Sequence, residues 1–170
     1  MGARGAPGQQ SSVFQRLCHD AHRGLDLFAC TLHHVCIVVH DLERTMAYYR
    51  QLGIGQWTDY PKGSGYVMFE VPDPDASKAM RYKCADLGNV QIQLCQPPLT
   101  DCPQRRFLDQ HGEGVYHLGF EVPDLDAAER DVAARGAATT ARGRRANGSG
   151  FAYFDTRDGA GVVLEVRKTE

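Results

Sequence analysis

The 170-residue sequence contains no run of eighteen apolar residues, which excludes a membrane-spanning helix of ordinary length. Its first residues lack the apolar stretch of a secretory signal, which argues against export by that route. An excess of either charge is also missing. The formal net charge of −2 leaves no electrostatic case for nucleic acid as a partner. One basic cluster, Arg142, Arg144 and Arg145, reads as a solvated loop rather than a phosphate-binding patch. No CxxC pair occurs, and a chain of this length needs no covalent staples. The six cysteines (Cys18, Cys30, Cys36, Cys84, Cys95 and Cys102) therefore read as free thiols of a reducing, cytoplasmic setting. Cys36, Cys84 and Cys95 lie in apolar, strand-like runs, where cysteine behaves as a small hydrophobe.

What is present is the composition of one globular domain preceded by an extension. Residues 1–27 read as flexible: Met1 to Ser12 is Gly, Ala, Pro, Gln and Ser with almost no large apolar side chain. A short helix between Val13 and Leu27 is the one element expected there. Residues 28–170 form the domain, and it contains an internal repeat. His34-Val-Cys-Ile-Val-Val-His-Asp-Leu-Glu aligns without a gap on His117-Leu-Gly-Phe-Glu-Val-Pro-Asp-Leu-Asp. Each copy opens with an alternating strand and continues with an Asp suited to cap a helix. A helical stripe follows: Leu42, Met46, Tyr49 and Leu52 in one copy, Leu125, Ala128 and Val132 in the other. Each stripe stops at a glycine, Gly53 or Gly136. Three strand-like segments come next in both copies, with turns at Leu87-Gly88-Asn89 and Asp158-Gly159. The expectation is an α+β fold of two βαβββ modules, about 32–96 and 115–168, sharing one curved sheet around a cleft. A linker between them carries a short helix near Arg106 to Gln110. A four-stranded half buries only one face alone, so two halves must close on each other.

Alternation assigns directions. In the first strand Val35, Ile37 and Val39 form a uniformly apolar face toward the helix, which turns His34 into the cleft. The second copy repeats this with His117. The last strand of each half holds one polar residue in an apolar setting, Gln93 and Glu165, and a carboxylate there is costly to bury without a cation. Two imidazoles, a carboxylate and an amide oxygen suit a borderline divalent ion (Co, Zn, Ni, Mn or Fe(II)) better than Ca. With one carboxylate the site is cationic and favours an anionic oxygen substrate. His33 is expected on the face opposite His34. His40 and His111 are expected in solvent, and His19 and His22 lack partners for a ligand set.

Three segments carry a resemblance to a known family. They are Leu32-His-His-Val-Cys-Ile-Val-Val-His-Asp-Leu-Glu; Val90-Gln-Ile-Gln-Leu with Pro97; and Phe107-Leu-Asp-Gln-His-Gly-Glu-Gly-Val-Tyr-His-Leu-Gly-Phe-Glu-Val, with Gly161-Val-Val-Leu-Glu-Val closing the chain. The chain resembles the vicinal oxygen chelate superfamily of glyoxalases, bleomycin-resistance proteins and dioxygenases. Within it, the methylmalonyl-CoA epimerase family is most similar. The resemblance implies one metal ion on His34, Gln93, His117 and Glu165, a small anionic acid or acyl thioester as substrate, and room for a homodimer. It also implies metal-assisted proton transfer α to a carbonyl, with Glu165 as one base. The second carboxylate of those epimerases has no counterpart in Met80-Arg-Tyr-Lys-Cys-Ala. Tyr82 has the parity to face the cleft there; Lys83 and Glu113 are further candidates. Three other readings stay open: a non-haem Fe(II) dioxygenase using His34, His117 and Glu165, a glyoxalase-type lyase, and a non-catalytic binding or resistance protein with an aromatic cleft of Trp57, Tyr66, Phe151 and Tyr153.

Overall fold

The computed structural model describes residues 30–60 and 65–169. The extension expected over 1–27, with its helix and its two histidines, lies outside them. Nine strands and five helices are described: β1 (Thr31–Val38), α1 (Leu42–Gln51), β2 (Thr58–Asp59), β3 (Tyr66–Glu70), α2 (Pro74–Ala79), β4 (Arg81–Asp86), β5 (Gln91–Gln96), α3 (Pro103–His111), β6 (Gly114–Glu121), α4 (Leu125–Ala134), β7 (Thr139–Arg145), β8 (Gly150–Phe154), α5 (Arg157–Ala160) and β9 (Val163–Lys168).

The repeat is visible in how the two long helices begin and end. Asp41 accepts the Arg44 amide at 3.1 Å ahead of α1, and Asp124 accepts the Ala127 amide at 2.9 Å ahead of α4. Past each helix the chain turns away at Gly53 (φ 85°) and Gly136 (φ 94°), a conformation that would strain any side chain. The expected stripes are buried at Leu42, Met46, Leu125, Ala128 and Val132. Leu52 is a correction. It is the residue capping the C-terminal end of α1 and is 61% exposed, because the stripe has already turned off the sheet there.

All nine strands form one sheet in the order β2-β4-β5-β1-β6-β9-β8-β7-β3. At its centre β1 and β6 run antiparallel, flanked by β5 parallel to β1 and β9 parallel to β6, so the halves are related about the β1–β6 seam. One strand departs from the two-module expectation. β3 follows the first helix in sequence, yet it pairs with β7 of the second half. The short β2 takes the place on β4 instead. This crossing fixes the curvature. A flat sheet of nine strands would be about 38 Å wide at about 4.8 Å per strand. Asp59 on one edge and Tyr66 on the other are only seven residue steps apart along the chain, which span at most about 25 Å. The sheet therefore curls toward itself without closing.

Its outer face packs on the helices: Val39 and Leu94 against Leu42 and Met46 of α1, and Val122, Ala152, Phe154 and Val166 against α4. A third cluster, Cys36, Val38, Cys95 and Val163 with Met80, Leu108 and Tyr116, fills one end of the concave side beneath α2 and α3. Cys36, Cys84, Cys95 and Cys102 are free thiols. No helix among the described residues is long and apolar enough to cross a membrane. The basic cluster is not a loop. Arg142, Arg144 and Arg145 lie in β7, and Arg144 is buried. Arg144 bonds Asp126 at 2.8 Å, the Phe151 carbonyl at 2.7 Å, and Glu129, tying α4 to the sheet. Asp158-Gly159 falls inside the short helix α5 rather than in a hairpin turn.

Candidate functional site

The central seam places the two histidines. His34 lies across from Gly119, and His117 lies across from Cys36. Both are almost wholly buried on the concave face. The register slips twice along this seam. Leu32 and His34 pair with the consecutive residues Phe120 and Gly119, and His117 and Val115 pair with the consecutive residues Cys36 and Ile37. The extra residue is His33 in β1 and Tyr116 in β6, the same position of the repeat. A bulge breaks strict alternation. It accounts for the correction at His33, which is half-buried with Nδ1 2.9 Å from Nδ1 of His34 instead of facing away from it. His40 and His111 are exposed, as expected.

Three donors converge. His34 Nε2 lies 2.8 Å from His117 Nε2, and Glu165 Oε2 lies 3.2 and 3.1 Å from these two nitrogens. Ligands at about 2.1 Å from a divalent ion stand about 3.0 Å apart in adjacent octahedral positions and about 3.4 Å apart in a tetrahedron. The observed spacing fits three adjacent positions on one face of an octahedron. Two further facts fit a cation. Glu165 Oε2 is buried without a hydrogen-bond partner, although both ring nitrogens are close to it. The protonation states also suit one. Burial pushes the Glu165 carboxyl up, but the imidazoles of His34 and His117 outweigh that and hold it well below the usual carboxylate range. Burial pushes the His117 imidazole down against the pull of Glu165. Near neutral pH the set thus offers a carboxylate and a neutral His117 ring, the forms that bind metals.

Gly119 makes the arrangement sterically feasible. A Cβ there would sit 2.2 Å from Cε1 and 2.5 Å from Nδ1 of the His34 ring. Sequence reasoning missed this residue, and the repeat held the clue: Gly119 and Cys36 occupy one repeat position, each opposite the other half's histidine. It also missed Arg167, two residues beyond Glu165 on β9 and hence on the same face. Its side chain is 13% exposed, with Nε 3.7 Å from Glu121 Oε2, and it places a positive charge near Glu165.

Gln93 is buried, with Nε2 4.0 Å from Cys84 Sγ. Along with Glu165 it lines a cavity of about 650 Å³ on the concave side. The walls are tyrosine-rich: Tyr60, Tyr66, Tyr82, Tyr116 and Tyr153, with Phe151. The expected aromatic cleft is present except for Trp57, which packs against Tyr49 on the helix side. Tyr82 pairs with Cys95, and Cys84 pairs with Gln93, so Tyr82 shares the face of Gln93. Burial pushes its phenol well above the ordinary tyrosine value. Lys83 points to the other face, ion-paired with Asp59 at 2.8 Å. Glu113 accepts the His40 amide at 2.8 Å and ties the start of β6 to the entry of α1. Neither lines the cavity.

Comparisons with known proteins bear on the family and the fold. Residues 33–154 match the family model of the glyoxalase/bleomycin resistance protein/dioxygenase superfamily. The mitochondrial methylmalonyl-CoA epimerase of Homo sapiens is 26% identical over 140 residues, covering 81% of this chain and 73% of that protein. The ethylmalonyl-CoA/methylmalonyl-CoA epimerase of Cereibacter sphaeroides is 28% identical over 144 residues, 81% of this chain and 96% of that one. Among solved structures, methylmalonyl-CoA epimerase from Mycobacterium tuberculosis superposes with a TM-score of 0.60 at 25% identity, covering 89% of this chain and 94% of that one. A methylmalonyl-CoA epimerase in complex with methylmalonyl-CoA and NH4+ gives a TM-score of 0.58 at 25% identity, covering 82% and 94%.

Proposed function

The chain belongs to the glyoxalase/bleomycin resistance protein/dioxygenase superfamily, and within it we propose an epimerase-type enzyme that is metal-dependent and moves a proton at a carbon α to a carbonyl. The substrate class is an acyl-CoA or related 2-substituted acid, with methylmalonyl-CoA as the first candidate, by analogy with the relatives named for it. One observation carries this reading: two imidazoles and a carboxylate converge within 3.2 Å, and the carboxylate also lines a tyrosine-walled cavity.

His34, His117 and Glu165 would hold the ion, and Gln93 would offer its amide oxygen as a fourth donor. A divalent ion there (Co, Zn, Ni, Mn or Fe(II)) supplies Lewis acidity, polarising a carbonyl and offsetting the negative charge that develops as the α-proton leaves. The rest is done by side chains. Glu165, held ionised by its imidazole neighbours, can take the α-proton on a carboxylate oxygen. The same neighbours make it a weak base, so the acidity of the substrate must carry much of the step. Inversion needs a second proton delivered from the opposite side. Tyr82 stays protonated at neutral pH because burial disfavours its phenolate. That makes it a donor to carbon rather than a base, and solvent must afterwards return a proton to Tyr82 and take the one held by Glu165. Tyr60, its ring 5.6 Å from that of Tyr82, shields this wall.

The test is solvent deuterium exchange at the α-carbon of methylmalonyl-CoA by metal-loaded protein, followed by NMR. Exchange is the expected result. Its absence with this and other 2-substituted acyl-CoA substrates, at full metal occupancy, rejects the reading. A second reading is favoured by the same spacing, since His34, His117 and Glu165 form a 2-His-1-carboxylate face of the kind that binds Fe(II) in oxygenases. Substrate-dependent oxygen uptake by the Fe(II)-loaded protein, without exchange, would select it.

A further inference from the structure

We propose that His33 is a positioning residue: through the bulge in β1 it fixes the ring tautomer of His34, and so sets the affinity of the site for a cation. The argument starts from the contact between Nδ1 of His33 and Nδ1 of His34 at 2.9 Å. Two lone pairs cannot face each other at hydrogen-bond distance, so one of these nitrogens carries a proton. His34 Nε2 faces His117 Nε2 at 2.8 Å and Glu165 Oε2 at 3.2 Å. To serve a cation between those groups, His34 Nε2 must be bare, so its ring proton sits on Nδ1. The proton that the 2.8 Å contact between the two Nε2 atoms requires in metal-free protein is then carried by His117, whose Nδ1 has no partner among the described residues. His33 Nδ1 is the acceptor that the His34 proton meets. A ligand histidine is held in place by the partner of its other nitrogen.

The seam supplies its own internal comparison. Tyr116 occupies the bulge of β6 at the position equivalent to His33. Its ring meets His117 edge-on, with centroids 5.9 Å apart, and presents no acceptor to Nδ1. His117 Nδ1 is buried with no hydrogen-bond partner among the described residues. One bulge therefore orients its histidine by a polar bond and the other only by packing. The two imidazoles of the cluster are not equivalent, and His34 is the pre-set one.

The proposal rests on His34 being a ligand, so the experiment separates the two ideas. Imidazole nitrogen NMR on metal-free protein should place the His34 proton on Nδ1 in the wild type. His33→Phe should leave a tautomer mixture, and His33→Asn, whose side-chain oxygen can accept, should restore the Nδ1 proton. Co2+ titrations should then show at least about tenfold weaker binding in His33→Phe, with most of the loss recovered in His33→Asn. A wild-type His34 protonated on Nε2 overturns the proposal without any variant. So does His33→Phe binding Co2+ within twofold of wild type. Failure of the wild type to bind Co2+ would reject the metal reading, while the tautomer measurement still decides the role of His33.

Discussion

Replacing Gly119 with alanine is a one-carbon change that should empty the cluster. The added Cβ would lie 2.2, 2.5 and 2.8 Å from Cε1, Nδ1 and Nε2 of His34. Carbon atoms settle about 3.5 Å apart, so the nearest ring carbon must retreat by about 1.3 Å. His34 is wholly buried, with His33 and His117 against its two nitrogens, and cannot swing aside freely. A metal–nitrogen bond tolerates displacements of about 0.2 Å. A shift several times larger removes His34 as a donor, and cation affinity should fall by at least about tenfold, the lower end of what even indirect disturbances cost. Overpacking should also destabilise the fold by about 1–3 kcal/mol. Calorimetric titration with Co2+ and urea unfolding measure the two effects. Gly55→Ala, where a Cβ meets nothing within 4 Å, is the control and should match wild type in both. Gly119→Ala with wild-type affinity and stability would refute the idea that the missing side chain makes room for the ring.

Other consequences are as specific. Glu165→Gln should abolish α-proton exchange, while Tyr82→Phe should leave exchange largely intact and slow inversion; wild-type inversion in Tyr82→Phe would remove Tyr82 from the mechanism. Arg144→Met takes Glu129 Oε2 off its partner while Arg142 stays on Oε1 at 3.2 Å, and should cost about 1–3 kcal/mol of stability in denaturant titrations, whereas Lys78→Met, at an exposed pair, should cost well under 1 kcal/mol. Acid should destabilise the metal-free protein in two stages. The folded His117 takes its proton later than the unfolded chain does, so stability should decline as pH falls through about 6.5. The depressed Glu165 contributes above the unfolded value of about 4.3, and that contribution is lost as pH falls further, toward its folded value. Unfolding midpoints that stay flat between about pH 8 and pH 5 would contradict the first stage.

The four polar residues facing the cleft were legible because each rests on a short-range rule. His34 and His117 share a phase with apolar neighbours on the other face, and the gapless repeat doubles that signal. Gln93 and Glu165 are polar breaks in strands buried on both sides. The features that escaped depend on pairing, which a single strand does not encode. The bulges at His33 and Tyr116 exist only where β1 meets β6, and they reversed the expected direction of His33. The pairing of β3 with β7 joins the two halves, which the strand's own pattern does not encode. Arg144 looked like part of a solvated run, because its carboxylate partners Asp126 and Glu129 lie on a helix that packs beside it only in the folded chain. Gly119 was visible as a glycine but not as a vacancy, since the ring it accommodates belongs to the other half.

Whether the convergent imidazoles and carboxylate hold a metal is the question on which the remaining chemistry depends. Elemental analysis of protein equilibrated with a divalent ion and freed of excess answers it. One ion per chain is expected in the wild type, with most of it lost in both His34→Ala and His117→Ala. Full occupancy in both variants, or none in the wild type, would contradict the assignment.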